Sequence, residues 1–291
     1  TFIAFSFMQG KISGYAIFDF NYFDNKTHNF DITRTYFQYS DNISDDLFLK
    51  VRFDVGRVKD YGNDQKLRVF LKNSYVDWKL NKFNTFSLGL IPSSSYSTQE
   101  SNWGYRFIER ALLDKVKMTN SADFGIGYSR HFKTLDFNIQ FLNGEGYSSE
   151  DINNNKAIFL RLLYGEKKIN KNNGFNIGVV YTCLPTIGDE SNVLMGFFTG
   201  WSNEAIRLGI EVNRFNDMED RFANALYFNY SLANALNLFI RHDDISDNVE
   251  NHNDTSYLGI IWNPTKGLYL SPNIKYSSNE TIVRFTCMFK Y

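Results

Sequence analysis

The stretch NWGYRFIERALLDKVK carries Arg106, Arg110 and Lys117 at spacings of four and seven residues. On a helix these positions share one face, and Phe107, Ile108, Ala111 and Leu112 form a stripe on the other. The chemistry of such a segment is electrostatic. With its apolar stripe against a wall, it would turn a row of fixed cations toward a water path and gather anions there. Glu109 stands between the two arginines and would offset part of that field. The plainer alternative is a surface loop with solvated charges.

Bond-making chemistry finds little support. The four histidines are His28, His131, His242 and His252, three in or beside expected loops and His131 at a turn. None belongs to an HExxH motif or a paired-His spacing, and no GxSxG is present. DNISDD and DDISDN are acidic, but they lack the Gly and distal Glu of a calcium loop and read as solvated turns. No catalytic residue, metal or cofactor is therefore expected, and a membrane-embedded hydrolase is the minor alternative. With 31 basic and 32 acidic residues, the overall field does not point to nucleic acid. Cys183 and Cys287 are too few for a disulfide scaffold and fall on strands that are not neighbours, so both are expected to be free thiols.

The elements that would position these residues are strands. Aromatic residues make up 17% of the chain and there are 4 prolines, a balance that suits pleated sheet. In RFTCMFKY, Phe285, Cys287, Phe289 and Tyr291 take every second place, with Arg284 and Lys290 between them. Sixteen segments show this kind of pattern, among them KISGYAIFDFNY, LFLKVRFDV, DFGIGYSRHF, FNIGVVYTC and EAIRLGIEVN. Their connections tend to alternate between long and short, although GEKKINKNN is long where a short turn is due. One segment alone reads as helical, from about Trp103 to Lys115, inside the longest connection.

No helices remain to cover a sheet, and no apolar run is long enough for a spanning helix. Lipid accepts only sheets that close on themselves, because every backbone donor must be paired internally. The expectation is an all-β chain: a 16-stranded antiparallel transmembrane β-barrel with a long, partly helical third extracellular loop. Residues 1–291 are expected to form a single domain in the bacterial outer membrane. TFIAFSFMQG, residues 1–10, reads either as a signal-peptide remnant or as the start of the first strand. The last strand is expected to pair with the first.

Strand parity then sorts the charges. Opposite the apolar positions lie Arg34, Lys50, Arg52, Arg161, Arg207, Arg241, Arg284 and Lys290, against Asp19, Asp54, Asp77, Asp136 and Glu211. A charge facing lipid near mid-membrane costs about 2–4 kcal/mol, so these are expected to face the lumen. There they either line the pore wall or brace it as Arg–Asp pairs.

Several pieces resemble the phosphate-selective porin O and porin P family. FDITRTYFQYSDNISDDLFLKVRFD is similar to its strand-turn-strand, LKNSYVDWK to its D-A-Y-V-x-Y strand, and LGLIPSSS with FIERALL to its proline turn and F-M-E-R-S-L segment. FNIQFLNGEGY resembles its F-N-G-x-G. The likeness spans roughly residues 30–147. It departs where LGLIPSSS lacks the usual basic and Phe-Gly elements, and where Asn73 replaces a frequent Asp. The resemblance implies a homotrimeric porin selective for phosphate. The terminal aromatic strand resembles the signal read by the barrel-insertion machinery. The joint expectation is a water-filled channel in outer-membrane lipid that passes small anionic or neutral solutes with a mild anion preference. Arg106, Glu109, Arg110 and Lys117 would form its constriction. The alternatives are a plugged barrel serving as a membrane anchor or attachment protein, and an oligosaccharide channel with an aromatic track.

Overall fold

Period-two alternation yields sixteen strands in the computed structural model, which describes residues 10–57, 66–151, 154–185, 191–216, 220–247 and 251–291. They are β1 (Lys11–Phe23), β2 (His28–Asn42), β3 (Leu47–Arg57), β4 (Leu67–Asn81) and β5 (Asn84–Pro92). After the longest connection follow β6 (Ala122–Phe132), β7 (Leu135–Leu142), β8 (Ala157–Gly165), β9 (Gly174–Pro185), β10 (Ser191–Ser202) and β11 (Ile206–Asn216). The chain completes the barrel with β12 (Asp220–Ala233), β13 (Leu236–Asp247), β14 (Asn251–Thr265), β15 (Leu268–Ser277) and β16 (Thr281–Lys290). Two short helices, α1 (Ser97–Trp103) and α2 (Leu112–Lys115), lie between β5 and β6. Apart from Gly10, the segment read as a signal remnant or strand start lies outside the described residues.

Every strand pairs antiparallel with its sequence neighbours, and β1 pairs with β16, so the sheet is a closed barrel. The closing register runs from Tyr15 opposite Lys290 to Phe23 opposite Ile282. Tyr291 continues it, exchanging two 3.1 Å main-chain bonds with Gly14, and its hydroxyl donates to the carbonyl of Tyr36. The expected pairing of last strand with first is thus present.

The polarity of the wall is inverted relative to a soluble protein. Outward-facing Leu226 and Leu258 are 52% and 54% exposed, whereas inward-facing Glu211, Asn213, Arg241 and Asp243 are fully buried. Apolar side chains outside and hydrogen-bonded polar ones inside are stable only when lipid covers the exterior. Trp78, Tyr164, Phe175, Trp201 and Trp262 are exposed near the rim of short turns, as an interfacial aromatic belt requires. Cys183 and Cys287 are free and half-buried, on the outward parity of β9 and β16.

The apolar core lies inside the barrel. Trp103, Ile108, Leu112, Leu113 and Met118 of the β5–β6 connection pack on Leu194, Phe215, Tyr227, Phe239 and Tyr257 of the wall. The long connection therefore folds inward and fills one side of the lumen. The β8–β9 turn, the long one on the short-turn rim, also tucks in: Ile169 is 3% exposed.

Candidate functional site

The loop leaves β5 through three buried serines. Ser94 N–H donates to Gln140 Oε1 at 3.0 Å, and the hydroxyls of Ser95 and Thr182 are 2.9 Å apart. α1 follows and ends at Gly104, whose φ of 80° is left-handed and whose N–H returns to the carbonyl of Glu100. A glycine tolerates that conformation at little cost. Within α1, Asn102 and Asn176 of β9 exchange amide bonds at 3.0 and 2.8 Å. This close approach needs a bare backbone opposite, since a Cβ on Gly200 would stand 2.7 Å from the Asn102 amide. Trp103 is fully buried between Tyr227 and Phe239, and its indole N–H donates to the carbonyl of Glu109 at 2.9 Å.

The single helix expected from Trp103 to Lys115 is not formed. Helix covers residues 97–103 and 112–115, and residues 104–111 make an irregular turn between them. Gly104 breaks the first helix, and wall arginines then take the carbonyls that a continuing helix would use. Arg207 donates to the carbonyls of Asn102 and Trp103 at 3.1 and 3.0 Å. Arg284 takes that of Ile108 at 3.0 Å, and Arg241 that of Arg110 at 2.6 Å. The apolar residues named from the sequence, Phe107, Ile108, Ala111 and Leu112, are nevertheless all buried against the wall.

Without the helix, the cationic residues do not share a stripe. Arg106 pairs with Glu100 and, at 3.2 Å, with Asp114. Arg110 lines a cavity beside Arg34, Arg57 and Arg284. Lys117 is exposed, with a φ of 57°, and is not among the residues lining the three cavities described below. Glu109 forms no ion pair with the arginine side chains beside it among the described residues, although its Oε1 accepts from the Arg110 main-chain N–H at 2.9 Å. Its carboxylate accepts from the Tyr257 hydroxyl at 2.8 Å. Glu109 belongs to the loop, outside the spanning strands. Burial opposes its ionisation, but Arg241, Lys115, Arg284 and the Tyr257 hydroxyl outweigh that and hold its carboxyl at about 2.

The wall cations divide by location. Arg161, on β8, donates to Ser97 Oγ at 2.7 Å and pairs with Asp136. With Arg207 and Arg241 it holds the loop in place. Lys115 of α2 adds a 2.9 Å ion pair to Asp243. Arg34, Lys50 and Arg52 stand elsewhere, on β2 and β3. Arg34 donates to the Tyr36 hydroxyl at 3.0 Å and lies 3.5 Å from Asp54. Arg52 donates to Gln38 and sits 5.0 Å above the Tyr36 ring. Lys72 joins them, bonded to Ser121 and 4.0 Å above the Tyr147 ring. Asp54 is within electrostatic reach of Arg34, Lys72, Arg106 and Arg52 together. Arg34 is its one ion-pair partner among the described residues, with three further cations in reach.

Lys72 is a residue that parity misses. The β3–β4 register shifts between Arg52 and Phe53, leaving Lys72 as the extra residue of a bulge. Lys72 and Asn73 are consequently both buried, one after the other, which strict alternation cannot place. The signal available in the sequence is a change of apolar parity within the strand, from Leu67, Val69 and Leu71 to Val76, Trp78 and Leu80.

Three cavities follow the free side of the loop. One of about 330 Å³ is lined by Arg34, Arg57, Arg110 and Arg284, with Glu109. A second, about 320 Å³, is lined by Tyr36, Arg52, Lys72 and Arg106, with Glu100. The third, about 510 Å³, opens among the short turns and includes Lys171, Arg207 and Lys290, with Glu204. Tyr15, Arg106 and Phe107 are common to the first two, and Phe107, Gly104, Met288 and Lys290 to the last two. Phe107 touches all three. Basic side chains outnumber acidic ones in each lining.

This barrel has close counterparts of known structure. It is similar to OmpF of Salmonella typhi in complex with daunomycin, with a TM-score of 0.73 and 11% identity over 97% of each chain. It is also similar to a mutant porin of Rh. blastica, with a TM-score of 0.67 and 13% identity over 97% of this chain and all of that one. OmpT of Vibrio cholerae, an outer membrane protein in trimer form, gives 0.66 and 11% over 97% and 99%. At these identities the likeness is one of fold, that of the porin-type barrel. No protein-family model matches the chain, and no curated protein matches its sequence.

Proposed function

We propose that this protein is an outer-membrane porin of bacterial origin that passes small hydrophilic solutes by diffusion, with a mild preference for anions. The observation that carries the reading is the file of three cavities past Phe107, each lined by an excess of cations. In a narrow path with low-dielectric walls, such charges raise the local concentration of anions. Arg34, Arg52, Lys72 and Arg106 form the narrow part with Tyr36, while Arg161, Arg207 and Arg241 act as fasteners for the loop. Inward folding of the loop and the porin-type fold both support this reading.

Phosphate is the anion to which the family resemblance points, and the cations Arg52, Lys72 and Arg106 lining one cavity suit a compact anion. The resemblance and the trimer form of Vibrio cholerae OmpT support threefold assembly, which chemical cross-linking in detergent would count.

Single-channel recording in a planar bilayer tests the proposal. Stepwise conductance is expected, with a reversal potential under a salt gradient of the sign for anion preference. Replacing Arg34, Arg52 and Lys72 with Gln should move that potential toward cation preference, most visibly at low salt. A purified, folded protein without conductance would point to the plugged anchor instead.

A further inference from the structure

The cavity among the short turns differs in chemistry from the narrow part of the pore. Its volume of about 510 Å³ falls within the range of small-molecule sites, roughly 300–1,000 Å³. Asn229 is 3% exposed there. Its amide N–H donates to the carbonyl of Trp103 at 3.4 Å, while its Oδ1 has no hydrogen-bond partner among the described residues. A buried acceptor left open in this way costs about 1–3 kcal/mol unless something donates to it. Asn237 accepts from the Ser231 hydroxyl, so its own NH2 group remains as a donor.

Aromatic faces and cations complete the lining. Tyr269 packs against Phe107 with ring centres 5.9 Å apart, and Lys290 Nζ lies 4.7 Å from the Tyr269 centre. Lys171, delivered by the inward β8–β9 turn, lies within electrostatic reach of Lys290. Neither lysine forms an ion pair among the described residues. Glu204, at an exposed turn tip, is the one carboxylate of this lining.

Two like charges that form no ion pair among the described residues, beside open amides and an aromatic face, complement a solute with one anionic group and several hydroxyls. We propose that this cavity is a binding site for a sugar carrying an anionic group, at about monosaccharide size. Lys171 and Lys290 receive the anionic group, Asn229 Oδ1 accepts from a hydroxyl, and the ring lies near Tyr269. The inference rests on the channel reading, because the pore delivers the solute to the cavity.

Calorimetric titration of the full chain in detergent tests this without requiring conduction, with glucose 6-phosphate, glucose and inorganic phosphate as probes. Glucose 6-phosphate is expected to bind about tenfold more tightly than either of the others. Inorganic phosphate binding equally well would mean a plain anion site, and glucose binding equally well would mean that the lysines do not contribute. Either result overturns the proposal. Lys171→Gln with Lys290→Gln should weaken glucose 6-phosphate by about tenfold and leave glucose unchanged. Should that pair disturb assembly, Lys171→Gln alone, on an exposed turn, still has to weaken binding severalfold, and unchanged affinity overturns the assignment. Conductance recorded in parallel separates the two readings. A protein that conducts without binding overturns the site alone, and one that binds without conducting overturns the channel and keeps the site.

Discussion

Arg241, on wall strand β13, donates to the main-chain carbonyl of Arg110, on the inserted loop, at 2.6 Å. The same guanidinium grips Asp243 through bonds of 2.6 and 2.9 Å and faces the rings of Trp103, Tyr227 and Tyr257. Breaking one partner out of a buried charged pair costs about 3–5 kcal/mol, because the other charge is left unpaired. Arg241→Gln is therefore expected to loosen the loop, giving larger and noisier conductance steps while the barrel stays inserted. Step size and noise equal to those of the parent protein would mean that this contact does not hold the loop.

Charge at the narrow part is predicted to depend on Glu100. Its carboxylate pairs with Arg106, which faces the same cavity as Arg52 and Lys72. Glu100→Gln should increase anion preference and Arg106→Gln should reduce it, with both effects shrinking as salt rises. Reversal potentials that move in the same direction for the two variants would contradict the arrangement.

Fluorescence offers an independent check on where the loop lies. Trp78, Trp201 and Trp262 are exposed on the outer face, whereas Trp103 is fully buried inside. Brominated lipids should quench the first three and spare the fourth. The unquenched fraction should vanish in Trp103→Phe, and its survival there would place the protected indole elsewhere.

The outer face should reject charge. Leu226→Arg, midway along β12, is expected to destabilise the inserted barrel by about 2–4 kcal/mol, read from equilibrium unfolding in lipid. A neutral effect would imply that this position is not covered by hydrocarbon.

Acid should act on the loop through Glu109. Its folded carboxyl at about 2 lies below its ordinary 4.5, so its contribution is complete above 4.5 and fades as pH falls toward 2. The loop should hold through mild acid and loosen in strong acid, seen as rising conductance noise below about pH 4. Glu109→Gln should remove most of that pH dependence. Noise that rises equally in both proteins would exclude Glu109 as the responsive group.

Much of the barrel could be read from alternation, because a strand with one lipid face and one polar face writes a period of two into the chain. Arg52, Arg207 and Arg241 all lie inside as parity required. Parity carries no information about what an inward arginine meets. Arg207 and Arg241 look like Arg52 in sequence, yet they bind loop carbonyls while Arg52 binds the wall residue Gln38. The apolar residues of the loop were legible as a buried set, but their helix was not. Tertiary donors 104 to 176 residues distant compete for the carbonyls, and no local propensity records them. Lys72 was hidden for the opposite reason, since a single bulge resets the alternation within its strand.

The inward loop is synthesised before most of what holds it. Arg161, Arg207, Arg241 and Arg284 all follow it in the chain, the last by 176 residues from Ile108. Contacts so distant in sequence form late, because the intervening segment must first be ordered. During assembly the loop then waits undocked until the second half of the wall is in place. Its seating is expected late in maturation, and burial of Trp103 should lag behind insertion of the first strands in time-resolved refolding.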